Sequence, residues 1–209
     1  MTAHLLASRA DGRAGRARVS WSPYRADAAP YFRACEYPRL RRACQQQRRF
    51  LTTVLMTDIV DSTAMATQLG DRRWRDVLAD HYAACRDHVG RADGELVNTT
   101  GDGIVAIFDG PARAVRAAIA IQAMARQSGI AVRAGLHTGE CERLEDGLAG
   151  LTVHIAARVS ALGCADAVMA TGTVRDLAIG SMLAFEPCGH HDLKGVPGRW
   201  PVFSATDLA

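Results

Sequence analysis

Asp58 and Asp102 are the residues of this 209-residue chain whose type and placement point most directly to chemistry. Asp58 closes an apolar run, Leu51-Thr52-Thr53-Val54-Leu55-Met56-Thr57-Asp58, and leads straight into Ile59-Val60-Asp61-Ser62-Thr63. Asp102 lies in Asn98-Thr99-Thr100-Gly101-Asp102-Gly103, between two strand-like runs. A carboxylate ending a buried strand and another at an adjacent hairpin tip can together hold divalent metals, and two metals on two carboxylates are a standard means of phosphoryl and nucleotidyl transfer. Each residue also has a plainer reading. Asp-Gly at a hairpin is commonly a turn, and an Asp between strand and helix is commonly a cap. Arg158, four residues after His154, reads alone as a solvated helix face. Lys194, the only lysine among 25 basic residues, reads alone as an edge-strand charge.

The surrounding pattern supplies elements to carry these side chains. Residues 51–58 read as a buried strand. Asp61-Ser62-Thr63 offers N-cap side chains for a helix toward Leu69. Gly70-Asp71 breaks it, and a second helix runs from Arg72 to Arg91 with Trp74, Val77, Leu78, Tyr82 and Val89 on its apolar side. Glu95–Thr100 and Ile104–Phe108 predict two strands joined through Gly101-Asp102-Gly103. Asp109-Gly110-Pro111 opens a helix with Ala114, Ala118, Ile121 and Ala125 on one side. Then come a strand over Ile130–His137, a polar loop over Thr138–Gly150, and a helix over Leu151–Leu162. A strand over Ala167–Thr171 and a helix over Thr173–Ile179 follow, and Met182–Pro187, His190–Leu193 and Trp200–Ser204 close the chain as strands. The order predicts an α+β fold close to the ferredoxin-like βαββαβ sheet, with helices packed on one face.

Composition bounds the rest. A chain of this length with 48% hydrophobic residues buries one good core, so one main domain is expected over residues 49–206. Residues 1–50 carry eleven Arg against Asp11, Asp27 and Glu36, a net of +8, which leaves 3 − 8 = −5 for the remainder. The basic segment 1–48 reads as a poorly ordered leader. It lacks the aromatic interleaving of a nucleic-acid binder, so no nucleic-acid partner is expected. The cysteines at 35, 44, 85, 141, 164 and 188 form no C-x-x-C pair. With no apolar segment near Met1, they read as reduced, mostly buried thiols of a cytoplasmic protein. The longest apolar helical stretch, Ala114 to Met124, is too short to span a membrane.

Taken together and in order, the motifs carry a resemblance. From about Phe50 to Phe203 the chain resembles the class III nucleotidyl cyclase catalytic domain, in the bacterial form of actinobacterial type. The resemblance rests on Thr57-Asp58-Ile59-Val60-x-Ser62-Thr63, Thr100-Gly101-Asp102-Gly103, Gly135-Leu136-His137-Thr138-Gly139-Glu140, Val153-His154-Ile155-Ala156-Ala157-Arg158-Val159 and Leu193-Lys194-Gly195-Val196. It implies that Asp58, Asp102 and the backbone carbonyl of Ile59 hold two Mg²⁺ or Mn²⁺ ions per site. It implies that amides from Val60 to Thr63, including Ser62 and Thr63, face the substrate phosphates. Arg158 matches the family's transition-state arginine, and Lys194 a lysine on the outer phosphates. Because the family divides these residues between two subunits and this chain holds both halves, a homodimer with interfacial sites is implied.

Three positions depart from the common pattern. The family's base-reading lysine falls on Asn98, and its partner aspartate falls on Gly147 with Asp146 one residue away. The ribose-orienting asparagine is His154. An amide at Asn98 presents both donor and acceptor to a purine, so ATP is the expected substrate, with relaxed selectivity and some GTP turnover. Many members carry Gly where this chain has Asp61, beside the phosphates. The expected activity is adenylate cyclase. The alternative is a cyclase-homology domain that binds nucleotide or a partner with little or no turnover. A diguanylate cyclase or polymerase-palm reading lacks the Gly-Gly-Asp/Glu-Glu-Phe hairpin.

Overall fold

The computed structural model describes residues 49–145 and 147–208; the leader expected over residues 1–48, with Cys35 and Cys44, and Asp146 lie outside them. The apolar run around Asp58 becomes β1 (Arg49–Ile59), whose neighbouring residues Val54 and Leu55 are both fully buried. A strand sealed on both faces is a central strand. It pairs antiparallel with β3 (Ile104–Phe108) on one side and β4 (Val132–Leu144) on the other. The chain reaches β3 through α1 (Ser62–Leu69), α2 (Asp71–Arg91) and β2 (Glu95–Thr99), and reaches β4 through α3 (Pro111–Gln127). The resulting order, β2-β3-β1-β4, is the expected ferredoxin-like βαββαβ unit.

Beyond β4 come β5 (Gly147–Ala149), α4 (Leu151–Ser160), β6 (Val168–Thr171), α5 (Gly172–Leu177), β7 (Leu183–Asp192) and β8 (Arg199–Asp207). β6 joins β4 in parallel and β8 and β7 extend the sheet, giving eight strands among the described residues.

Two clusters show how the layers stack. Leu55, Ala106, Phe108 and Leu136 pack against Cys85, Val89, Val115 and Ile121 of α2 and α3. Met65 of α1 and Trp74, Val77 and Leu78 of α2 close the end of the same face over Ile59. The helices of the βαββαβ unit thus share one face, as expected. α4, from the added segment, packs on the opposite face, where Ala156 and Val153 meet Val54, Val105 and Ile107. Its approach depends on Gly135: a Cβ there would stand 2.1 Å from the Ser160 amide nitrogen and 2.5 Å from the Ala156 carbonyl oxygen.

The polar loop expected over Thr138–Gly150 is instead strand. β4 stays paired with β1 as far as Arg49↔Glu142, and β5 folds back on its end. Cys141 points inward while Glu140 and Glu142 do not, the alternation of a half-buried strand, which the polar composition disguises. The two late strands expected over Met182–Leu193 are one strand, β7, with a register shift between Pro187 and His190. Of the described cysteines, Cys85 and Cys141 are buried as expected, while Cys164 and Cys188 are exposed.

His137, buried on β4, bonds Thr171 Oγ1 through Nδ1 at 2.9 Å and meets Trp200 edge-on at 5.5 Å. Burial pushes its pKa down to about 4. The unfolded chain therefore binds the proton more readily, and the stability present above about pH 6.5 is lost as pH falls toward 4. Burial of His81 acts in the same direction. Urea unfolding at pH 7 and 4.5 is expected to show roughly 2 kcal/mol less stability at the lower pH from His137 alone. His137→Gln is expected to remove that share of the slope.

Candidate active site

Asp58 and Asp102 face one cavity of about 560 Å³, with Ile59, Asp61, Ser62, Thr63, Ala64, Thr67 and Arg133 as its other walls. Asp58 arrives there as the penultimate residue of β1. Asp102 arrives on the β2–β3 turn, where Gly101 takes φ +84° and the Thr100 N–H donates to the Gly103 carbonyl at 2.9 Å. This is a two-residue turn with glycine at its first, positive-φ position.

Three contacts fix that turn against β1. Gly103 lies so close to the strand that a Cβ would be 1.9 Å from the Thr57 carbonyl oxygen. The Ile104 N–H donates to Thr57 Oγ1 at 3.2 Å. From α2, the Tyr82 hydroxyl donates to the Gly101 carbonyl. Burial first, and then the Asp102 charge, push the Tyr82 phenol up, which keeps this donor protonated. Tyr82→Phe is expected to lower stability by about 1 kcal/mol and to weaken Mn²⁺ binding several-fold, the first read by denaturant unfolding and the second by titration.

The N-terminus of α1 borders the same cavity. The first-turn N–H groups of a helix have no partner within it, and here they lie at Ser62 and Thr63. Two expectations need correction at this point. Asp61 holds the N-cap position but makes no side-chain capping bond; it adopts φ 55°, ψ 30°, a left-handed conformation. Such backbone favours glycine and is tolerated by the short polar side chain of an Asp. The Val60 amide does not face the cavity as a free donor, since it donates to the Ala131 carbonyl at 2.9 Å. The Ser62 hydroxyl donates to Asp102 Oδ2, tying the helix start to the turn.

The donor set suits a hard divalent ion. Two carboxylates and the backbone at Ile59 offer oxygen only, with neither imidazole nor thiolate beside them. Oxygen donors match Mg²⁺ and Mn²⁺, and Mg²⁺ sites commonly use one or two carboxylates with substrate phosphates and water completing the shell. No group of three or more His, Cys, Asp or Glu side chains placed to hold a metal ion by themselves occurs among the described residues.

The remaining site residues expected from the sequence do not line this cavity. His154 and Arg158 are exposed on α4, and Lys194 is exposed just past the end of β7. They nevertheless share a platform. Leu193 and Val196, flanking Lys194, are buried against Ile155 and Val159 of α4. The Trp200 indole N–H donates to the Pro197 carbonyl at 3.1 Å, closing the turn. Asn98 is exposed at an irregularity in β2, and its side-chain oxygen accepts the Thr99 N–H at 2.8 Å. Asp146 lies outside the described residues, and Gly147 begins β5 at φ +146°. One chain thus carries two separate groups, an acidic cavity and a basic platform.

Arg133 escaped the sequence reading. It sits directly across from Asp58 in the β1–β4 register, with Nε 2.8 Å from Asp58 Oδ2 and Nη2 on the same oxygen. The available signal was an arginine inside an otherwise apolar strand, Ile130–His137. Tyr82 also escaped it, hidden among the apolar residues of α2.

Comparisons with known proteins agree with this architecture. The model of the adenylate and guanylate cyclase catalytic domain family matches residues 44–204. An uncharacterized protein of Mycobacterium tuberculosis is 32% identical over 122 residues, 57% of this chain. The match covers 32% of that protein, so the chain spans about a third of the curated relatives it matches. The guanylate cyclase domain of RhGC from Catenaria anguillulae, solved in complex with GTP, is 21% identical with a TM-score of 0.70, covering 77% of this chain and 99% of that one. The adenylyl cyclase CyaB from P. aeruginosa is 18% identical with a TM-score of 0.67, covering 77% and 95%. At these identities the two structures speak to the fold, which they share with this chain. Among the described residues no helix is long and apolar enough to cross a membrane.

Proposed function

The chain belongs to the adenylate and guanylate cyclase catalytic domain family, whose members use divalent metal ions, and from that premise we propose that it is an adenylate cyclase forming 3′,5′-cyclic AMP and pyrophosphate. The observation that carries the reading is the meeting of Asp58 and Asp102 in one cavity beside the open N-terminus of α1. Asp58, Asp102 and the Ile59 carbonyl would hold two Mg²⁺ or Mn²⁺ ions. Bound there, the ions supply neutralisation of the triphosphate and acidification of the ribose 3′-hydroxyl.

The chain's own groups account for the remainder. Amides at Ser62 and Thr63, at the positive end of the α1 dipole, receive phosphate oxygens. Arg158 offers a planar fork to the charge that develops on the α-phosphate during in-line attack. Lys194 offers a point charge to the outer phosphates. His154, one helical turn before Arg158, hydrogen-bonds and orients the ribose. The family divides these groups between two subunits, and with His154, Arg158 and Lys194 off the acidic cavity each site of a homodimer would take its acidic half from one subunit and its basic half from the other.

Base recognition is the altered part. Asn98 and Gly147 occupy the sequence positions at which an ionised pair would otherwise read the purine, with Asp146 one residue away, and the Asn98 oxygen is already engaged by Thr99. ATP is the preferred substrate with GTP as a secondary one. Comparing kcat/KM for the two nucleotides tests this. A preference for ATP below about a hundredfold, roughly 2.7 kcal/mol, is expected. A larger preference, or any preference for GTP, would contradict the assignment.

A further inference from the structure

Glu95 of β2 and Arg143 of β4 join the two elements that carry Asn98 and Gly147, and their meaning rests on the reading of those positions as the ones that face the purine. In the sheet, β3 and β1 lie between β2 and β4, a gap of about 14 Å at ordinary strand spacing. Arg143 bridges it. Its guanidinium lies over the Phe50 ring of β1, 5.6 Å from the ring centre. From there Nη1 stands 2.6 Å from Glu95 Oε1 and Nη2 2.7 Å from Oε2. Two parallel N–H···O bonds fix both distance and angle, as a single contact does not. Those bonds hold the Glu95 carboxyl below its usual range, so the pair is ionised at neutral pH.

The register places both ends of the bridge beside the base-reading positions. Glu95 stands opposite Ile107 and Asn98 opposite Val105, and both of those partners pack toward α4. Opposed residues of an antiparallel pair share a face. In a regular strand, residues three apart would face opposite ways. The irregularity between Leu96 and Asn98 admits Val97 as an extra residue and returns Asn98 to the face that holds Glu95. On the other side, Arg143 stands opposite Leu148, the residue after Gly147. Arg143 and Glu95 are 35% and 55% exposed. An ion pair this open adds little to stability, so its effect lies in placement.

We propose that the Glu95–Arg143 pair is a clamp that sets the spacing between Asn98 and the turn at Gly147, and with it how sharply the site separates ATP from GTP. Both are positioning residues, acting through Asn98 rather than on the substrate. Opening the clamp costs the preferred purine more than the other, because only the preferred one uses the exact spacing.

Calorimetric titration of the full-length protein with 3′-deoxy-ATP and 3′-deoxy-GTP, in the presence of Mn²⁺, reads base recognition without turnover, since neither analogue carries the attacking hydroxyl. Arg143→Gln and Glu95→Gln are each expected to weaken 3′-deoxy-ATP about fivefold and 3′-deoxy-GTP less than about twofold, with thermal unfolding showing that both are folded. Asn98→Ala is expected to lower the ATP-to-GTP affinity ratio, and adding Arg143→Gln to it should change that ratio by less than about twofold more, because a residue acting through Asn98 has nothing left to act on. A full further loss in the double variant contradicts action through Asn98. If the ratio falls in Asn98→Ala but stays at the wild-type value in both folded clamp variants, or if those variants weaken the two analogues equally, the clamp is wrong and the base-reading assignment stands. If Asn98→Ala leaves the ratio unchanged, or wild type binds neither analogue, that assignment falls and the clamp falls with it.

Discussion

An equal mixture of Asp102→Ala and Arg158→Ala chains is expected to recover about a quarter of wild-type cyclic-nucleotide synthesis, although each variant alone is nearly inactive. Asp102 lies in the acidic cavity and Arg158 on the exposed side of α4, so the two variants damage different halves of the site. Each alone is expected to lose at least about a thousandfold in kcat, the scale on which an arginine acts in phosphoryl transfer. In a random mixture about half of the dimers are mixed, and each mixed dimer pairs the intact acidic half of one chain with the intact basic half of the other at one of its two sites. Half of one half gives the quarter. Recovery under about one-hundredth, from variants that still dimerise, would mean that each site is built within a single chain.

The second large effect belongs to Gly103, which carries no functional group. A Cβ at this position would be 1.9 Å from the Thr57 carbonyl oxygen. The obstacle is the backbone of β1, which cannot turn aside as a side-chain end could. Gly103→Ala is expected to cost roughly 3 kcal/mol, read as a melting temperature lower by about 6–12 °C for a domain of this size. The strand that must give way is the one bearing Asp58, so Asp102 and Asp58 move apart. Mn²⁺ binding should therefore be lost at temperatures where the variant is still folded. Gly101→Ala is the control. Its φ is +84° but nothing lies within 4 Å of the added methyl, so only backbone strain of about 1 kcal/mol is expected. Equal effects at the two glycines would contradict the close-approach explanation.

The βαββαβ unit was legible in the sequence because its signals are local. Apolar runs ended at Asp58 and Phe108, glycines punctuated the turns, and the α2 and α3 repeats had helical spacing. The segment after His137 was not legible, because β4 is stabilised beyond that point by pairing with β1 rather than by its own composition. Cys141 is the one inward residue among polar neighbours there. The acidic half of the site was legible because Asp58 and Asp102 close a strand-like run and a hairpin turn within recognisable motifs, although their meeting depends on the pairing of β1 with β3. Arg133 was not, because its meaning depends on which residue faces it across the β1–β4 ladder. That register is a property of the folded sheet. The left-handed conformation of Asp61 was hidden for a similar reason: the residue type suits an N-cap, and only the backbone shows that its side chain does no capping.

Incubating the purified full-length protein with Mn²⁺ and ATP, and resolving the products, tests the central claim most directly. The account predicts 3′,5′-cyclic AMP and pyrophosphate in equal amounts, with the yield abolished in Asp58→Asn. A folded, dimeric protein that forms no cyclic nucleotide from either ATP or GTP would contradict it.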